Sequence, residues 1–258
     1  VIRWQGAEGE QVEGMLYYPH DYQEGTRYPL VLMIHGGPAW ADMDAWDDRW
    51  SYPQNLVNQW GAFVLKPNYH GSGFYGLEWV ESIGQGKYYD LEVLDIERGV
   101  DALIERGLVD EEHMGAMGWS NGAILTIALT VSTTRYKAAS AGAGDVDWTS
   151  DWASCAFGAA FDNYYFGASP LQDPARYREK SPFYRLDRVR TPTLIFFGDQ
   201  DTAVPTQQGW MHYRALQQLD QAPMRFVLFP GEKHGLKKHA FWRRKLQEEM
   251  AWFDRHLF

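Results

Sequence analysis

The stretch "HMGAMGWSNGAILTIALTVST", residues 113–133, decides the fold. Its first part is short and apolar and predicts a buried strand, and the long apolar run after Ser120 predicts a helix. Between them, Gly118, Ser120 and Gly122 fit the pattern G-x-S-x-G, and a strand before it and a helix after it are the context of a nucleophile elbow. Glycines relieve crowding in such a turn, and the helix N-terminus offers N–H groups to a developing oxyanion. The pattern alone leaves a plain turn into a helix open.

Strands and helices alternate on both sides of this stretch. Apolar runs closed by glycine or charged residues predict strands, and apolar residues at helical spacing predict helices. The predicted strands lie within residues 28–37, 60–71, 113–120, 136–144, 191–201 and 224–235, and the predicted helices within 90–106, 121–133, 206–219 and 237–256. This alternation predicts an α/β fold with a mostly parallel central sheet and helices on both faces.

One segment interrupts the alternation. Residues 145–190 carry many aromatic residues, prolines at 170, 174 and 182, and no clear strand. We expect a partly helical, cap-like excursion over the strand ends, where loops carry function. No repeat, low-complexity tract or change of composition marks a second domain, so we expect residues 1–258 to form a single domain.

A serine nucleophile needs a base and an acid, and in a fold of this kind they follow the serine in the order Ser, Asp, His. Asp199 and Asp201 come directly after one apolar strand, and His234 follows the next. Three separate strand ends therefore offer the required residue types in the required order. Either aspartate satisfies that order.

Five motifs in sequence order make the chain recognisable: "HGGP" at 35–38, "NYHGSGFYG" at 68–76, "GWSNGA" at 118–123, "GDQDTAVP" at 198–205 and "PGEKHG" at 230–235. Together they resemble the catalytic domain of the prolyl oligopeptidase family of serine peptidases, especially its acylaminoacyl-peptidase-like branch. The resemblance covers nearly the whole chain. It implies an α/β-hydrolase fold and an enzyme that needs no cofactor.

The resemblance also implies a role for each residue of the Ser-Asp-His set. Ser120 corresponds to the nucleophile and His234 to the general base. The family's aspartate stands three residues before a Val-Pro pair, which matches Asp201 and leaves Asp199 as a turn or capping residue.

An oxyanion hole with two donors is implied as well. One donor is the backbone N–H of Asn121, the residue after the nucleophile, and the other comes from the loop at residues 35–38. Some relatives place a tyrosine hydroxyl at the position of His35. Because this chain has histidine there, we assign the second donor to the backbone N–H of Gly37.

The chain departs from the family pattern at three points. His70 stands where the family commonly has arginine, and Ala123 stands where a second glycine is usual. No N-terminal β-propeller is present in the chain, whereas many relatives use one to admit only short peptides. If residues 1–258 are the whole functional unit, we expect a comparatively open site. The two substitutions lead us to expect a pocket that differs in shape from those of relatives.

Several residues in the predicted loops are candidates for the substrate pocket: His35, His70, Tyr75, Trp119, Trp148 and Trp152. Trp40, Trp46 and Trp50 lie in a predicted loop nearby. Pockets are mostly apolar, but aromatic residues are more often part of the core, and both interpretations stay open. For the other histidines we expect surface or capping positions: His20, His113, His212, His239 and His256.

Composition argues against other kinds of partner. The formal net charge is −10, and the compact basic group at residues 243–245 is expected on a solvated helix face, so we expect no nucleic-acid partner. We expect no membrane partner, because no apolar stretch approaches the ~20 residues needed to cross a bilayer. No spacing of His, Cys and carboxylate residues indicates a metal site. Homo-oligomer formation stays open.

Cysteine content and the chain start bear on the compartment. Cys155 is the only cysteine, so no internal disulfide can form, and we expect it to be a buried hydrophobe rather than a free thiol. The first residues lack the pattern of a signal peptide, and we expect a cytoplasmic protein. The chain begins at Val1, which leaves a removed upstream segment open.

The sequence therefore predicts a serine hydrolase that cleaves peptide bonds, aminoacyl or acylaminoacyl, through a Ser-His-Asp triad and an acyl-enzyme. A carboxylesterase acting on small acyl esters is the alternative, because the same residues cleave esters. A non-catalytic binding module with this fold is a third reading, which the presence of Ser120, Asp201 and His234 disfavours.

Overall fold

The computed structural model describes residues 1–45 and 52–258, and within them eight strands form one sheet. The strands are β1 Ile2–Gln5, β2 Gln11–Tyr17, β3 Tyr28–Ile34, β4 Phe63–Asn68, β5 Val109–Trp119, β6 Ala138–Gly142, β7 Thr193–Gly198 and β8 Met224–Phe229. Their order across the sheet is β1-β2-β4-β3-β5-β6-β7-β8. The pairs β1–β2 and β2–β4 are antiparallel, and all other neighbours are parallel. The predicted α/β class with a mostly parallel sheet is confirmed.

Helices connect the strands. The α-helices found in the described ranges are α1 Tyr52–Gln59, α2 Leu77–Glu81, α3 Glu92–Glu105, α4 Asn121–Ser132, α5 Trp148–Ser154, α6 Gly158–Phe166, α7 Pro174–Lys180, α8 Thr206–Leu219 and α9 His239–His256. The four helices predicted from apolar spacing correspond to α3, α4, α8 and α9. In these same ranges, no helix combines the length and the apolar character that a membrane crossing requires.

The central strands are covered on both faces, which explains their continuous apolar runs. Alternate residues of β3 enter two different cores: Leu30 and Leu32 pack with α3 and α4, whereas Val31 packs toward α9. Phe253 of α9 belongs to that second core. Every residue of α4 from 121 to 131 is buried, because this helix packs against the sheet, α3 and the segment before β7. An apolar composition on all sides of α4 follows from that position.

The N-terminal hairpin of β1 and β2 had no prediction from the sequence. It is anchored to α3 at Asp95, whose carbonyl accepts the indole N–H of Trp4 at 2.8 Å and whose Oδ1 accepts the N–H of Ala7 at 2.7 Å. The imidazole of His70 donates its Nδ1–H to Oδ2 of the same aspartate, at 2.6 Å. The buried carboxylate of Asp95 thus ties the hairpin to the loop that follows β4.

The segment between β6 and β7 is partly helical and contains α5, α6, α7 and a 3₁₀ stretch at Pro182–Arg188. Two contacts join it to the loop after β7: the N–H of Ala156 donates to the carbonyl of Thr202 at 2.8 Å, and the Cys155 thiol donates to the carbonyl of Ala203 at 3.1 Å. Because parallel strands share one direction, β3, β5, β6, β7 and β8 all end at one edge of the sheet. The residues after these strands therefore gather at that edge.

Candidate active site

Ser120 lies in the turn between β5 and α4 with φ 58° and ψ −127°, a conformation that residues other than glycine rarely adopt. Its N–H donates to the carbonyl of Gly142 at 2.8 Å, and its own carbonyl accepts the N–H groups of Ala123 and Ile124 at 2.9 and 3.0 Å. The first turn of the helix and the neighbouring strand therefore hold the serine in this conformation.

The two glycines of the motif allow the backbone to pack closely here. A Cβ added to Gly122 would lie 1.9 Å from the carbonyl oxygen of Ile34, and one added to Gly118 would lie 2.3 Å from the carbonyl carbon of Gly122. Neither position accepts a side chain without a shift of backbone. The start of α4 consequently lies directly against the end of β3.

The side chains of Ser120, His234 and Asp201 form a hydrogen-bonded chain. Ser120 Oγ lies 2.9 Å from His234 Nε2, and His234 Nδ1 lies 2.8 Å from Asp201 Oδ2. The Asp201 side chain is fully buried, whereas 32% of the His234 side chain is exposed. Asp201 Oδ1 accepts the N–H groups of Ala203 and Val204 at 2.9 and 3.1 Å, so backbone donors fix the carboxylate and leave Oδ2 for the imidazole.

Asp199 takes a different position from Asp201. It is exposed, and its Oδ1 accepts the N–H of Gly231 at 2.7 Å. This bond holds the turn that follows β8, three residues before His234. The structure therefore brings Asp201 to the imidazole and places Asp199 in support of the turn.

The indole of Trp119 contacts the backbone of His234. Its Nε1–H donates to the His234 carbonyl at 2.9 Å, and the side chain is partly buried. Trp119 thus lies between the serine turn and the histidine loop, and links them.

The residue after Ser120 and the loop of Gly36 and Gly37 carry the two proposed oxyanion donors. Asn121 follows Ser120 directly, and the loop of Gly37 lies close, since a Cβ added to Gly36 would be 3.2 Å from Ser120 Cβ. Within residues 1–45 and 52–258, neither amide N–H has a hydrogen-bond acceptor. Two backbone donors without an acceptor thus lie close to Ser120 in the structure or in sequence: one on the next residue, and one on the residue after Gly36.

His35 is buried beside these amides. Its Nε2 lies 2.9 Å from Ser72 Oγ, and its ring stacks on Tyr69 with the centroids 4.4 Å apart. Burial lowers the pKa of His35, so the imidazole is neutral near pH 7. Its Nδ1 lies 2.8 Å from the carbonyl oxygen of Gly36, so the buried ring contacts the backbone of this loop.

Two of the predicted pocket residues lie in the core. Trp148 is fully buried, and its Nε1–H donates to Tyr89 Oη at 2.7 Å. His70 is 2% exposed, bonds to Asp95 and stacks on Trp79 with the ring centroids 3.9 Å apart. The prediction that Trp148 and His70 line the pocket is wrong, because both side chains are enclosed and have partners within the protein.

The remaining aromatic candidates are more exposed. Tyr75 is half-exposed, and its hydroxyl bonds to Glu13 and Asn68. Trp152 is partly buried and donates to Asn163 Oδ1 at 3.1 Å. Trp40 is half-exposed and contacts Phe74 edge to face. Trp46 and Trp50 lie outside the described residues.

The other histidines differ from one another. His20, His113 and His239 are exposed, and His256 is partly exposed. His212 is 1% exposed, and burial lowers its pKa to about 3. The expectation of a surface or capping position is therefore wrong for His212, whose ring faces the interior from α8.

Buried carboxyl groups lie near the loop that carries Asp201. Burial raises the pKa of Asp145 well above its ordinary value, and neighbouring carboxylates, among them Asp151, add to this rise. Burial likewise raises the pKa of Asp151 to about 6 and that of Asp162 to about 9. Asp162 is therefore protonated near pH 7.

A polar network that the sequence analysis missed surrounds Asn121. Its side-chain amide donates to Tyr69 Oη at 2.9 Å and accepts from the hydroxyl of Tyr88. Tyr69 comes directly after β4, at the same sheet edge as the serine, and that position was a usable signal. Tyr88 lies between two helices and carries no pattern that would single it out.

These features define the class of the protein. A serine at a strained strand-to-helix turn, bonded to a histidine that is bonded to a buried aspartate, stands at the carboxyl edge of a mostly parallel sheet. This is the α/β-hydrolase fold with the residue order Ser, Asp, His. Residues 49–258 match the family model described as "Prolyl oligopeptidase family", and the chain belongs to that family.

Individual relatives agree with this assignment. The chain is 28% identical over 260 residues to the uncharacterized peptidase YuxL of Bacillus subtilis, a match that covers 99% of the chain and 39% of that protein. It is 29% identical over 264 residues to the human acylamino-acid-releasing enzyme, covering 96% of the chain and 34% of the enzyme. The solved structure of a Mycobacterium tuberculosis puromycin-hydrolyzing peptidase superposes with a TM-score of 0.89 at 27% identity, over 99% of the chain and 39% of the peptidase. The chain thus spans less than half the length of each of these relatives.

Proposed function

We propose that this chain is a catalytic domain that hydrolyses peptide bonds by acyl transfer from Ser120 to water. The observation that carries the proposal is the chain of hydrogen bonds from Ser120 Oγ through His234 to Asp201, at 2.9 and 2.8 Å. Membership of the prolyl oligopeptidase family supports a peptidase. The strained backbone conformation of Ser120 also supports a functional role, because residues held in such conformations cluster at active sites.

In the proposed mechanism, His234 Nε2 takes the proton of Ser120 Oγ as the oxygen attacks the carbonyl carbon of the scissile bond. The bond between carbon and nitrogen then breaks, and His234 gives the proton to the leaving amine. A water molecule next loses a proton to His234 as it attacks the acyl carbon. The ester bond then breaks, the acid is released, and His234 returns that proton to Ser120 Oγ. Asp201 holds the imidazole in the tautomer with the proton on Nδ1.

The negative charge on the carbonyl oxygen needs donors during both attacks. We assign this role to the N–H groups of Asn121, which follows Ser120, and of Gly37, which follows Gly36 in the neighbouring loop; neither has an acceptor within the described ranges. Donors held in place toward the developing charge lower the barrier without reorganisation. The buried, neutral His35 behind the loop supports this arrangement by packing.

The proposed substrates are aminoacyl or acylaminoacyl compounds. The human relative is named as an acylamino-acid-releasing enzyme, and the mycobacterial structure as a puromycin-hydrolyzing peptidase. A panel of aminoacyl amides, N-blocked peptides and simple acyl esters distinguishes a peptidase from an esterase. Turnover of the amides supports a peptidase, and turnover confined to the acyl esters would replace the proposal with a carboxylesterase.

A fluorophosphonate probe tests the nucleophile directly. We expect one label per chain, located at Ser120 by peptide mass spectrometry, and we expect Ser120→Ala to abolish labelling and turnover. Ser132→Ala is the matched control, because Ser132 is an exposed serine at the other end of the same helix. Labelling that persists in Ser120→Ala would remove Ser120 from the mechanism.

A further inference from the structure

One hydroxyl group joins the two sides of the proposed oxyanion hole. Tyr69 Oη donates to the carbonyl of His35 at 2.7 Å and accepts the side-chain N–H of Asn121 at 2.9 Å. The His35 carbonyl belongs to the peptide bond that leads into Gly36, one residue before Gly37. The Tyr69 hydroxyl therefore contacts the residue that carries one proposed donor and the loop that carries the other.

The direction of these hydrogen bonds follows from their neighbours. His35 Nδ1 lies 2.8 Å from the carbonyl of Gly36, which is an acceptor, so the proton of the neutral ring is on Nδ1. Nδ1 then offers no lone pair to Tyr69, and the hydroxyl proton goes to the His35 carbonyl. Burial raises the pKa of Tyr69 well above its ordinary value, so the hydroxyl stays protonated throughout the range in which an assay is run.

The Asn121 side chain is held from both ends. Tyr88 Oη donates to its Oδ1, while its Nδ2 donates to Tyr69, and the residue is 2% exposed. Tyr88 is fully buried, and burial raises its pKa well above the ordinary value, so it also remains a donor. With both polar ends of the side chain bonded, the residue that carries the first proposed oxyanion N–H has a fixed orientation.

The loop at residues 35–38, which carries the second proposed donor, is also held by the Tyr69 hydroxyl. Gly36 and Gly37 have no side chains that could fix their orientation, so the loop is oriented through its flanking groups. The bond to Tyr69 and the stacking of His35 on the Tyr69 ring, at 4.4 Å, supply such contacts. The rate that oxyanion donors support depends on their distance from the position of the oxyanion. Small displacements of the donors therefore lower kcat.

We infer that Tyr69 is a positioning residue for the oxyanion hole, acting through Asn121 on one side and the His35 carbonyl on the other. The inference rests on the proposed function and deepens it. Tyr69 touches no reacting atom in this role. It sets the relative position of two backbone N–H groups that come from different strand ends.

Tyr69→Phe tests this inference, because it removes the hydroxyl and keeps the ring that stacks on His35. Loss of a direct oxyanion donor costs about 10²–10³ in kcat, and for displaced donors we expect a loss of about 10- to 100-fold. KM for a small aminoacyl ester should change by less than about twofold, because the hydroxyl acts in the transition state. A peptidyl trifluoromethyl ketone forms a tetrahedral adduct with the serine, and its inhibition constant should rise by the same factor by which kcat/KM falls.

Tyr177→Phe is the matched control. Tyr177 is also fully buried, and its hydroxyl donates to the carbonyl of Ala168 at 3.0 Å, in the segment between β6 and β7. The two variants lose the same group from the interior, and each loses a bond to a backbone carbonyl. We expect Tyr177→Phe to lower Tm and to leave kcat and the ketone inhibition constant unchanged.

Asn121→Ala provides a second route, since it removes the side chain and keeps the backbone N–H. If both residues act through one network, the double variant Tyr69→Phe/Asn121→Ala should lose no more than about twofold beyond the larger single loss, instead of the product of both losses. If Tyr69→Phe does not fold, the single variants Asn121→Ala and Tyr88→Phe test the same network. Tyr88→Phe loses only the bond to Asn121. Lowered kcat with weaker ketone inhibition in either one supports the network.

Wild-type values of kcat and ketone inhibition in Tyr69→Phe would overturn the inference while the proposed function stands. An equal loss of kcat in Tyr177→Phe would also overturn it, because the effect would then follow from lost stability. A wild-type protein that neither takes the fluorophosphonate label at Ser120 nor turns over any substrate of the panel would instead overturn the proposed function, and the inference with it.

Discussion

Two aspartates lie two residues apart in the loop after β7, and their bonding partners separate their roles. Asp201 Oδ2 bonds to the imidazole of His234, whereas Asp199 Oδ1 bonds to the N–H of Gly231. In Asp201→Asn, the amide can donate to Nδ1 and favour the wrong tautomer, and we expect kcat to fall on the order of 10⁴-fold. Asp199→Asn keeps an oxygen for Gly231 and should cost less than about tenfold. Steady-state kinetics of both variants checks this, and a larger loss for Asp199→Asn would reverse the assignment.

The single thiol of the chain is predicted to be unreactive. Cys155 is only partly buried, but it donates to the Ala203 carbonyl at 3.1 Å, and burial raises its pKa to about 12. Thiolate is the reactive form, so at pH 8 we expect alkylation by iodoacetamide at least about 100-fold slower than that of an unperturbed cysteine of pKa ~8.5. Timed mass spectrometry measures the rate, and the urea-unfolded protein is the control. Equal rates in the folded and unfolded protein would contradict a thiol held in this bond.

The segment between β6 and β7 borders the site through the turn at residues 155–157. The N–H of Ala156 donates to the carbonyl of Thr202, next to Asp201. Phe157 is half-exposed, and its ring contacts Phe161, which packs on Tyr88. A row of aromatic rings thus leads from the residue after the nucleophile to an exposed phenylalanine. We predict that an apolar side chain on the acyl side of the proposed substrate contacts this ring.

We therefore expect Phe157→Ala to lower kcat/KM about tenfold for a substrate with an aromatic acyl-side residue, and less than about threefold for the matching alanine substrate. Tyr184→Ala is the control, since Tyr184 is half-exposed in the same segment but stacks with Arg178. Equal effects of Phe157→Ala on both substrates would mean that this ring does not contact the acyl side chain.

How far the sequence predicts the elements depends on how each one is stabilised. The strands β3 and β7 are buried on both faces, so their apolar runs are continuous, and α4 is apolar on every side for the same reason. The helices α5 and α6 have 7 and 9 residues, and helices this short depend on tertiary packing rather than on local preference. Their sequences therefore carried no clear period.

The site divides in the same way. Ser120, Asp201 and His234 each follow a strand that the sequence predicts, so their meeting could be expected from a parallel sheet. The same aromatic residue types occur in cores and in pockets, so composition does not separate them. Distant partners place Trp148 in the core, among them Tyr89, which accepts its indole N–H. The role inferred for Tyr69 depends on Asn121, which is 52 residues away in the chain.

The formal net charge of −10 counts every carboxyl group as ionised, and burial keeps some of them protonated near pH 7. Burial raises the pKa of Asp162 to about 9, far above the ~3.9 of an unfolded aspartate. Between these values the folded protein holds the proton that the unfolded chain releases, so Asp162 lowers the free energy of unfolding as pH rises from about 4 to about 9. The slope from one group is at most about 1.4 kcal/mol per pH unit. Asp151, with a pKa raised to about 6, acts in the same direction over a shorter range.

Asp162→Asn removes this titration and keeps the size of the side chain. We expect the decrease in Tm between pH 5 and pH 8 to be smaller in Asp162→Asn than in the wild-type protein, because one proton-linked loss of stability is gone. Asp187→Asn removes a carboxylate from an exposed position and should leave the wild-type decrease unchanged. Comparing the pH 5 to pH 8 difference within each protein cancels any offset in Tm that the substitution itself causes. An identical decrease in wild type and Asp162→Asn would show that Asp162 ionises alike in the folded and unfolded protein, which its complete burial among carboxyl groups argues against.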